Sequence, residues 1–533
     1  MDVPRLDGLA DRYDVAVPDP YRIGLAVLSA AIAIAVVTPL IWIVFEAATV
    51  EPGRAIGLLT SGHSIRVTFN SLVLMAAVTA GSIAIGVPLA FLTARTDLPY
   101  ARLCTILAAL PLVIPSYIGA IAFVGAFGAG GQLDTLFGIG LPRVHGLNGA
   151  IFIITLYTYP YVFLTTRAAL LSMDASVDDA ARTLNVGRLR AFRRVTLPQI
   201  RPGIAAGALL AALYAVSDFG TPAFMRAGVF TSTIYWEFSG FAIEYAALLA
   251  LQLVAIVAIV LVIEAGIGRD ADAAGATSGG APIVLGGWRW PALGAIAALA
   301  TLTLLVPIAI FVHWLIVGAG DPIPSLAFRW EFAWNSVYLA AYAAVASCAF
   351  ALPVAYYAGR HGTLGARVCE RATYVGFAVP GIVIALALVF LGTRTVPSLY
   401  RRGVWLLVFA YVVRFLPQAV GTVRSSVLQL DDRTIEAART LGASRFAVFR
   451  RITLPQLLPG VVAGAILVFL TTMKELPITM MLQPIGMDTL VIIIWDAQSI
   501  LAYRYAAVPA LLLIGISGLT MLVLLSQERL DVR

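Results

Sequence analysis

Two carboxylates, Asp218 and Glu475, stand in otherwise apolar sequence, 257 residues apart. An ionisable group inside a membrane-length apolar run is costly and is a functional candidate by default. Facing each other, the two would attract a cation. The alternative is structural: Glu475 and its neighbour Lys474 reach back to an interface, and Asp218 caps a broken helix. Arg414 is a third such group, and its counterpart at the same offset is Tyr157. It could pair with Glu475 as a lock, or bond carbonyls freed near Pro417; as a permanent cation it would oppose a bare metal ion. Lys474 is the only lysine in the chain, and Glu475 follows it. A phosphate-binding Gly-Lys-Ser/Thr loop is therefore impossible in this sequence, and any ATP must be held by another polypeptide. Cys104, Cys348 and Cys369 are scattered and give neither a disulfide framework nor metal spacing. His63, His145 and His361 read as loop residues and His313 as a core side chain, so no metal, cofactor or catalytic residue is assigned.

What must position these groups follows from composition. Of 533 residues, 60% are hydrophobic and 12% charged, against about a quarter charged in soluble domains. Mean hydropathy is +0.92. These values argue against a soluble enzyme, a nucleic-acid binder or a disordered chain, and for an all-α polytopic membrane protein. The net charge of +7 then reflects arginines at the cytoplasmic surface.

A crossing helix needs roughly 20 apolar residues. Such stretches occur at Ile23–Phe45, Val67–Ala94, Leu103–Leu133, Gly146–Thr166, Pro202–Ser217 and Tyr245–Ile263, and again at Trp290–Gly320, Phe332–Gly359, Ala372–Thr393, Gly403–Val423, Pro459–Met473 and Ala506–Ser526. The reading is about twelve spans: a cytoplasmic tail (1–21), a six-span unit (22–267), a Gly/Ala/Ser-rich tether (268–288) and a second unit (289–533). Seven arginines between Arg167 and Arg201, and six between Arg424 and Arg451, place both segments and both termini in the cytoplasm. Arg394, Arg401 and Arg402 then fall outside, against the rule. Trp236-Glu237 and Trp495-Asp496 recur before the last span of each unit, where tryptophan marks an interface and the acids face outward.

The arginine-rich segments are copies. DASVDDAARTLNVGRLRAFRRVTLPQIRPG (174–203) and DDRTIEAARTLGASRFAVFRRITLPQLLPG (431–460) share 16 of 30 residues at the same offset of 257. An even number of spans in each unit makes the repeats parallel. Asp431 and Asp432 suit a helix start. Gly442, and Asn185 in the first copy, suit the left-handed residue that ends the helix. A second short helix is expected to stop near Pro455 (Pro198), with Pro459 (Pro202) in the first turn of the next span.

Glu436-Ala437-Ala438, then Gly442, then Leu454-Pro455 resembles the EAA loop of membrane subunits of binding-protein-dependent ABC importers. Asp179-Ala180-Ala181, Asn185 and Leu197-Pro198 match in the first copy, with Asp and Asn replacing Glu and Gly. The chain thus resembles two fused permease units, most like the ferric-iron type; the segments Ser217–Pro222 and Lys474–Pro477 are similar to that subgroup, and thiamine permeases share the fused layout. The resemblance implies a type I importer permease in a prokaryotic inner membrane. Its loops would couple to two cytoplasmic ATPases that bind ATP, and an external solute-binding protein would deliver cargo. An ion-coupled secondary transporter is the rival, but it has no use for twin docking loops.

Overall fold

Hydrocarbon offers no hydrogen-bond partners, so an apolar stretch that crosses it must satisfy its own backbone as a helix. The computed structural model describes residues 20–127, 131–138, 142–173, 190, 192–267, 283–318, 323–324 and 326–530, and it is all-α. Ten helices among the described residues are long and apolar enough to cross a bilayer. Two further stretches, read from sequence as unbroken spans, are bent helix pairs: Ala101–Val113 with Ser116–Ala126 at 87°, and Leu364–Ala378 with Gly381–Thr395 at 103°. Ile114 and Val379, at the bends, are extended (ψ 123° and 131°), as the prolines that follow them require. The second pair still runs from one end of the bundle to the other. Near its start Glu370 holds Arg424 at 3.0 Å, late in helix Trp405–Leu428. At its finish Arg394 holds Glu46 at 2.6 Å, late in helix Pro20–Ala48. That pair explains an arginine at the end away from the basic loops: Glu46, its side chain 4% exposed, needs a cation beside it.

In each unit three helices form the core, and glycines bring them together. A Cβ on Gly207 would lie 2.5 Å from the Val162 Cα, and one on Gly464 3.1 Å from the Ala419 Cα. Close backbone approach at small residues is how membrane helices pack. The first helix of each unit crosses to the other. In helix Pro20–Ala48, the Ser29 hydroxyl donates to the Pro353 carbonyl (3.3 Å). In the span formed by Arg289–Ala300 and Val306–Val317, the Thr303 carbonyl accepts from Tyr157 (3.1 Å). Trp314 Nε1 donates to Gln132 (3.1 Å), whose amide meets His313 Nε2 at 2.6 Å.

Both loop regions lie at one end. Helices Gly62–Arg95 and Ile243–Ile267 run in parallel, tied by Ser64 to Tyr245 (2.6 Å) and Gln252 to Thr68 (3.0 Å). Ala47 and Val50, at the end of the first helix, cluster with Leu248, so that helix runs the opposite way. Its start, at Tyr21 and Leu25, meets Phe449 and Leu457 beside the second loop. The flanks of the first loop, Leu170, Met173 and Ile200, cluster with Leu89 and Leu98 where Gly62–Arg95 ends. Most of the tether, 268–282, is outside the described residues; Ile283 after it donates to the Arg95 carbonyl at 2.8 Å.

Candidate coupling loop and central cavity

The second loop is built as its residues dictate. Asp431 Oδ1 accepts from the Arg433 N–H (2.9 Å) and opens helix Asp432–Thr440. The helix closes when Gly442 turns to φ +85° and Ala443 N–H reaches the Ala438 carbonyl (3.1 Å), the bond pattern that a left-handed glycine permits. Ser444 then caps Arg445–Val448, its hydroxyl accepting from Ala447 N–H (3.2 Å). That helix does not stop near Pro455. A widened turn, Phe449–Thr453, carries it into Leu454–Met473, and Pro455 occupies the first turn. Pro459 therefore lies inside the helix rather than at its start; the first copy does the same with turn Phe192–Thr196, Pro198 and Pro202. The widened turn spares the bond that each missing proline N–H would have made. Glu436, Ala437 and Gly442 are exposed and Ala438 half-buried. Leu441 is 88% and Phe446 72% exposed, so the loop presents apolar side chains ringed by Arg439, Arg445, Arg450 and Arg451. Asp179, Ala180, Ala181 and Asn185 lie outside the described residues; Leu197 and Pro198 open helix Leu197–Ser217.

Asp218, Glu475, Arg414 and Lys474 line one cavity of roughly 190 Å³ between the units, with Tyr117, Tyr161 and Tyr214. Four chain breaks meet there. Helices Leu197–Ser217 and Leu454–Met473 stop at the acids and resume as Gly220–Phe224 and Pro477–Leu482; the other two breaks are Ile114-Pro115 and Val379-Pro380. Broken helices at depth survive only where their freed carbonyls find donors. Lys474 Nζ donates to the Leu112 carbonyl (3.2 Å) and Arg414 Nη1 to that of Val379 (2.7 Å). Arg414 also holds Glu475, Nε to Oε2 3.4 Å. It thus meets both expectations, pairing and carbonyl bonding, but the carbonyl is at Val379 and not near Pro417. Lys474 and Glu475 do not reach back to an interface. Asp218 Oδ2 accepts from Ser116 (2.8 Å), which also meets Tyr214 OH (3.0 Å). No cluster of three metal-ligating side chains occurs among the described residues. Trp495 does not mark an interface either: it is 8% exposed, stacks on Phe224 (5.5 Å) and packs tilted against Phe219 (5.3 Å) and edge-on to Tyr235 (5.4 Å), joining the units above the cavity.

The equivalent positions Ser116 and Gly381 follow Pro115 and Pro380. Aspartate is one methylene shorter than glutamate, and a serine hydroxyl fills the gap. Opposite the longer Glu475 stands glycine, and a Cβ there would fall on Glu475 Oε1 and lie 3.3 Å from Arg414 Cζ. Gly381→Ala is expected to dislodge the carboxylate and lower stability by about 1–3 kcal/mol, the usual cost of overpacking. Thermal unfolding in detergent measures this; an unchanged midpoint would show that the carboxylate has room to move.

The model of the binding-protein-dependent transport system inner membrane component family matches residues 82–269 and again 351–531. The Fe(3+)-transport system permease protein FbpB 2 of Haemophilus influenzae is 30% identical over 512 residues, covering 94% of this chain and 97% of that protein. The ferric transport system permease protein FbpB of Actinobacillus pleuropneumoniae is 24% identical over 80% of this chain and 66% of its own length. The molybdenum transport system permease protein ModB of Escherichia coli is 30% identical, over 26% of this chain and 62% of its own. Two copies of the family's unit, each with a cavity acid and flanks for a basic loop, make this chain a fused, multi-pass member of the binding-protein-dependent ABC importer permeases.

Proposed function

We propose that this permease is the translocation subunit of a ferric-iron importer in a prokaryotic inner membrane. Its two loops seat in separate cytoplasmic ABC ATPases that bind ATP, and an extracytoplasmic solute-binding protein delivers iron to the opposite end. The positive-inside rule supports the orientation, with both termini cytoplasmic. The observation that carries the reading is the cavity, where the unit-related carboxylates converge at broken helices midway along the spans. At roughly 190 Å³ it is smaller than the ~300–1,000 Å³ of organic-ligand pockets. That favours an ion carrying its own anionic ligands, since Arg414 and Lys474 in the same lining offset the two carboxylates, over a vitamin such as thiamine. Closure of the ATPases would rock the two units and open the cavity to each side in turn.

The test is uptake of labelled ferric iron against labelled thiamine by proteoliposomes carrying the permease, its ATPases and its solute-binding protein. Iron uptake that depends on ATP is expected. Asp218→Asn with Glu475→Gln should cut it roughly tenfold, the effect of about 1.4 kcal/mol, while the ATPases still co-purify. Thiamine uptake, or transport without any ATPase, would overturn the proposal.

A further inference from the structure

The end away from the coupling loops holds a second, larger cavity, of roughly 670 Å³. It is built from both units: the turn after helix Ser116–Ala126, the start of helix Gly146–Leu171, the turn after Gly220–Phe224, and the segment 498–504. Its charged lining side chains are Arg143, Arg226 and Arg504, with His145 beside them and no acid. The arginines are exposed, and neither Arg143 nor Arg226 forms an ion pair among the described residues. Gln132, held by Trp314 and His313, fixes one wall, and Gln498 Oε1 is buried without a partner.

Comparison of the repeats shows a reversal of charge at one pair of positions. Phe241-Ala-Ile-Glu-Tyr-Ala-Ala aligns with Leu501-Ala-Tyr-Arg-Tyr-Ala-Ala, and Phe241 and Leu501 share left-handed backbone, φ 64° and 61°. At that alignment Arg504 replaces Glu244. In the opposite lobe Glu244 is paired with Arg54 (3.1 Å), and Glu237 lies 3.7 Å from His63 Nε2. Arg226 keeps φ 53° where the turn after the matching short helix has Gly486, φ 84°. The coupling end kept 16 of 30 residues between copies, as two identical motors require. At the far end Glu237 and Asp496 keep their sign while Glu244 and Arg504 differ, as a single partner that is not duplicated allows.

We propose that this basic cavity is the socket for an acidic loop on one lobe of the solute-binding protein, and that the difference in charge between the two lobes fixes which way round the receptor docks. This rests on the importer reading above. Opposed charges steer encounter and set orientation, and their effect weakens with salt.

The permease–ATPase complex in nanodiscs, titrated with its solute-binding protein, provides the test, and co-purification of the ATPases checks folding. R143E/R226E/R504E is expected to weaken receptor binding about thirtyfold and to flatten its salt dependence, with the triple Arg→Gln set in between. R289E, at the coupling end, should change affinity less than threefold. A photo-crosslinker at position 226 should capture an acidic peptide from one receptor lobe. Equal capture of both lobes, or triple-variant affinity within twofold of the parent, overturns the proposal. So does inorganic phosphate or citrate that binds the parent but not the triple variant while receptor affinity stays unchanged, since the cavity would then serve a free anion. A parent complex that binds no receptor at all removes the importer reading, and this one with it.

Discussion

Reversal of charge in both loops, Glu436→Arg with Asp179→Arg, is expected to leave the spans inserted and to abolish transport, with uptake falling at least a hundredfold, or about 2.7 kcal/mol of coupling. The physical basis is what helix Asp432–Thr440 exposes. It projects from the bundle, and its tip presents Leu441 and Phe446, with four arginines around them and Glu436 as the acid on the EAA stretch. Exposed apolar residues with a charged rim mark a docking surface. One more positive charge on each loop, a fifth on the second, would disturb the rims while leaving the membrane-embedded packing alone. Membrane insertion, ATPase co-purification and uptake measured on one preparation separate the possibilities. ATPases retained with full uptake would mean that the loops carry no stroke.

The second large effect concerns Arg414. Arg414→Met leaves Glu475 buried opposite nothing and strips the Val379 carbonyl of its donor. Removal of one partner from a buried pair costs about 3–5 kcal/mol. The double variant Arg414→Met/Glu475→Met should recover much of that, because no uncompensated charge remains. The double variant also separates structure from transport. If the pair only holds the fold, restored stability brings restored uptake; if Glu475 meets the cargo, stability returns and uptake does not. Unfolding midpoints and iron uptake, read on the same three proteins, decide between them.

Sequence and structure agree where the physics is one-dimensional. Ten of the expected crossings were legible because length and hydropathy suffice to find them, and Gly442 was legible because few residues tolerate its backbone. The right-angle bends were hidden. Leu103–Leu133 and Ala372–Thr393 read as continuous because apolarity carries no direction; the signal was present in Pro115 and Pro380, each of which restrains the residue before it. Pairing of Arg414 with Glu475 was one of two readings open in the sequence, yet its carbonyl partner was not foreseen, because Val379 is 35 residues away and becomes an acceptor only when its helix breaks. Lys474 to Leu112 was out of reach for the same reason, across 362 residues. Trp495 misled because an aromatic near a span end suits a bilayer boundary and a packed core alike. The short helices Gly220–Phe224 and Pro477–Leu482 were missed, being far below membrane length.

The exchange of first helices also bears on why the two units share one polypeptide. Helix Pro20–Ala48 clasps the second unit, and its opposite number clasps the first, so the embrace is reciprocal. Severing the chain between the units would leave two interlocked fragments. Fusion therefore serves stoichiometry: each ribosomal product arrives with its dissimilar halves already matched one to one.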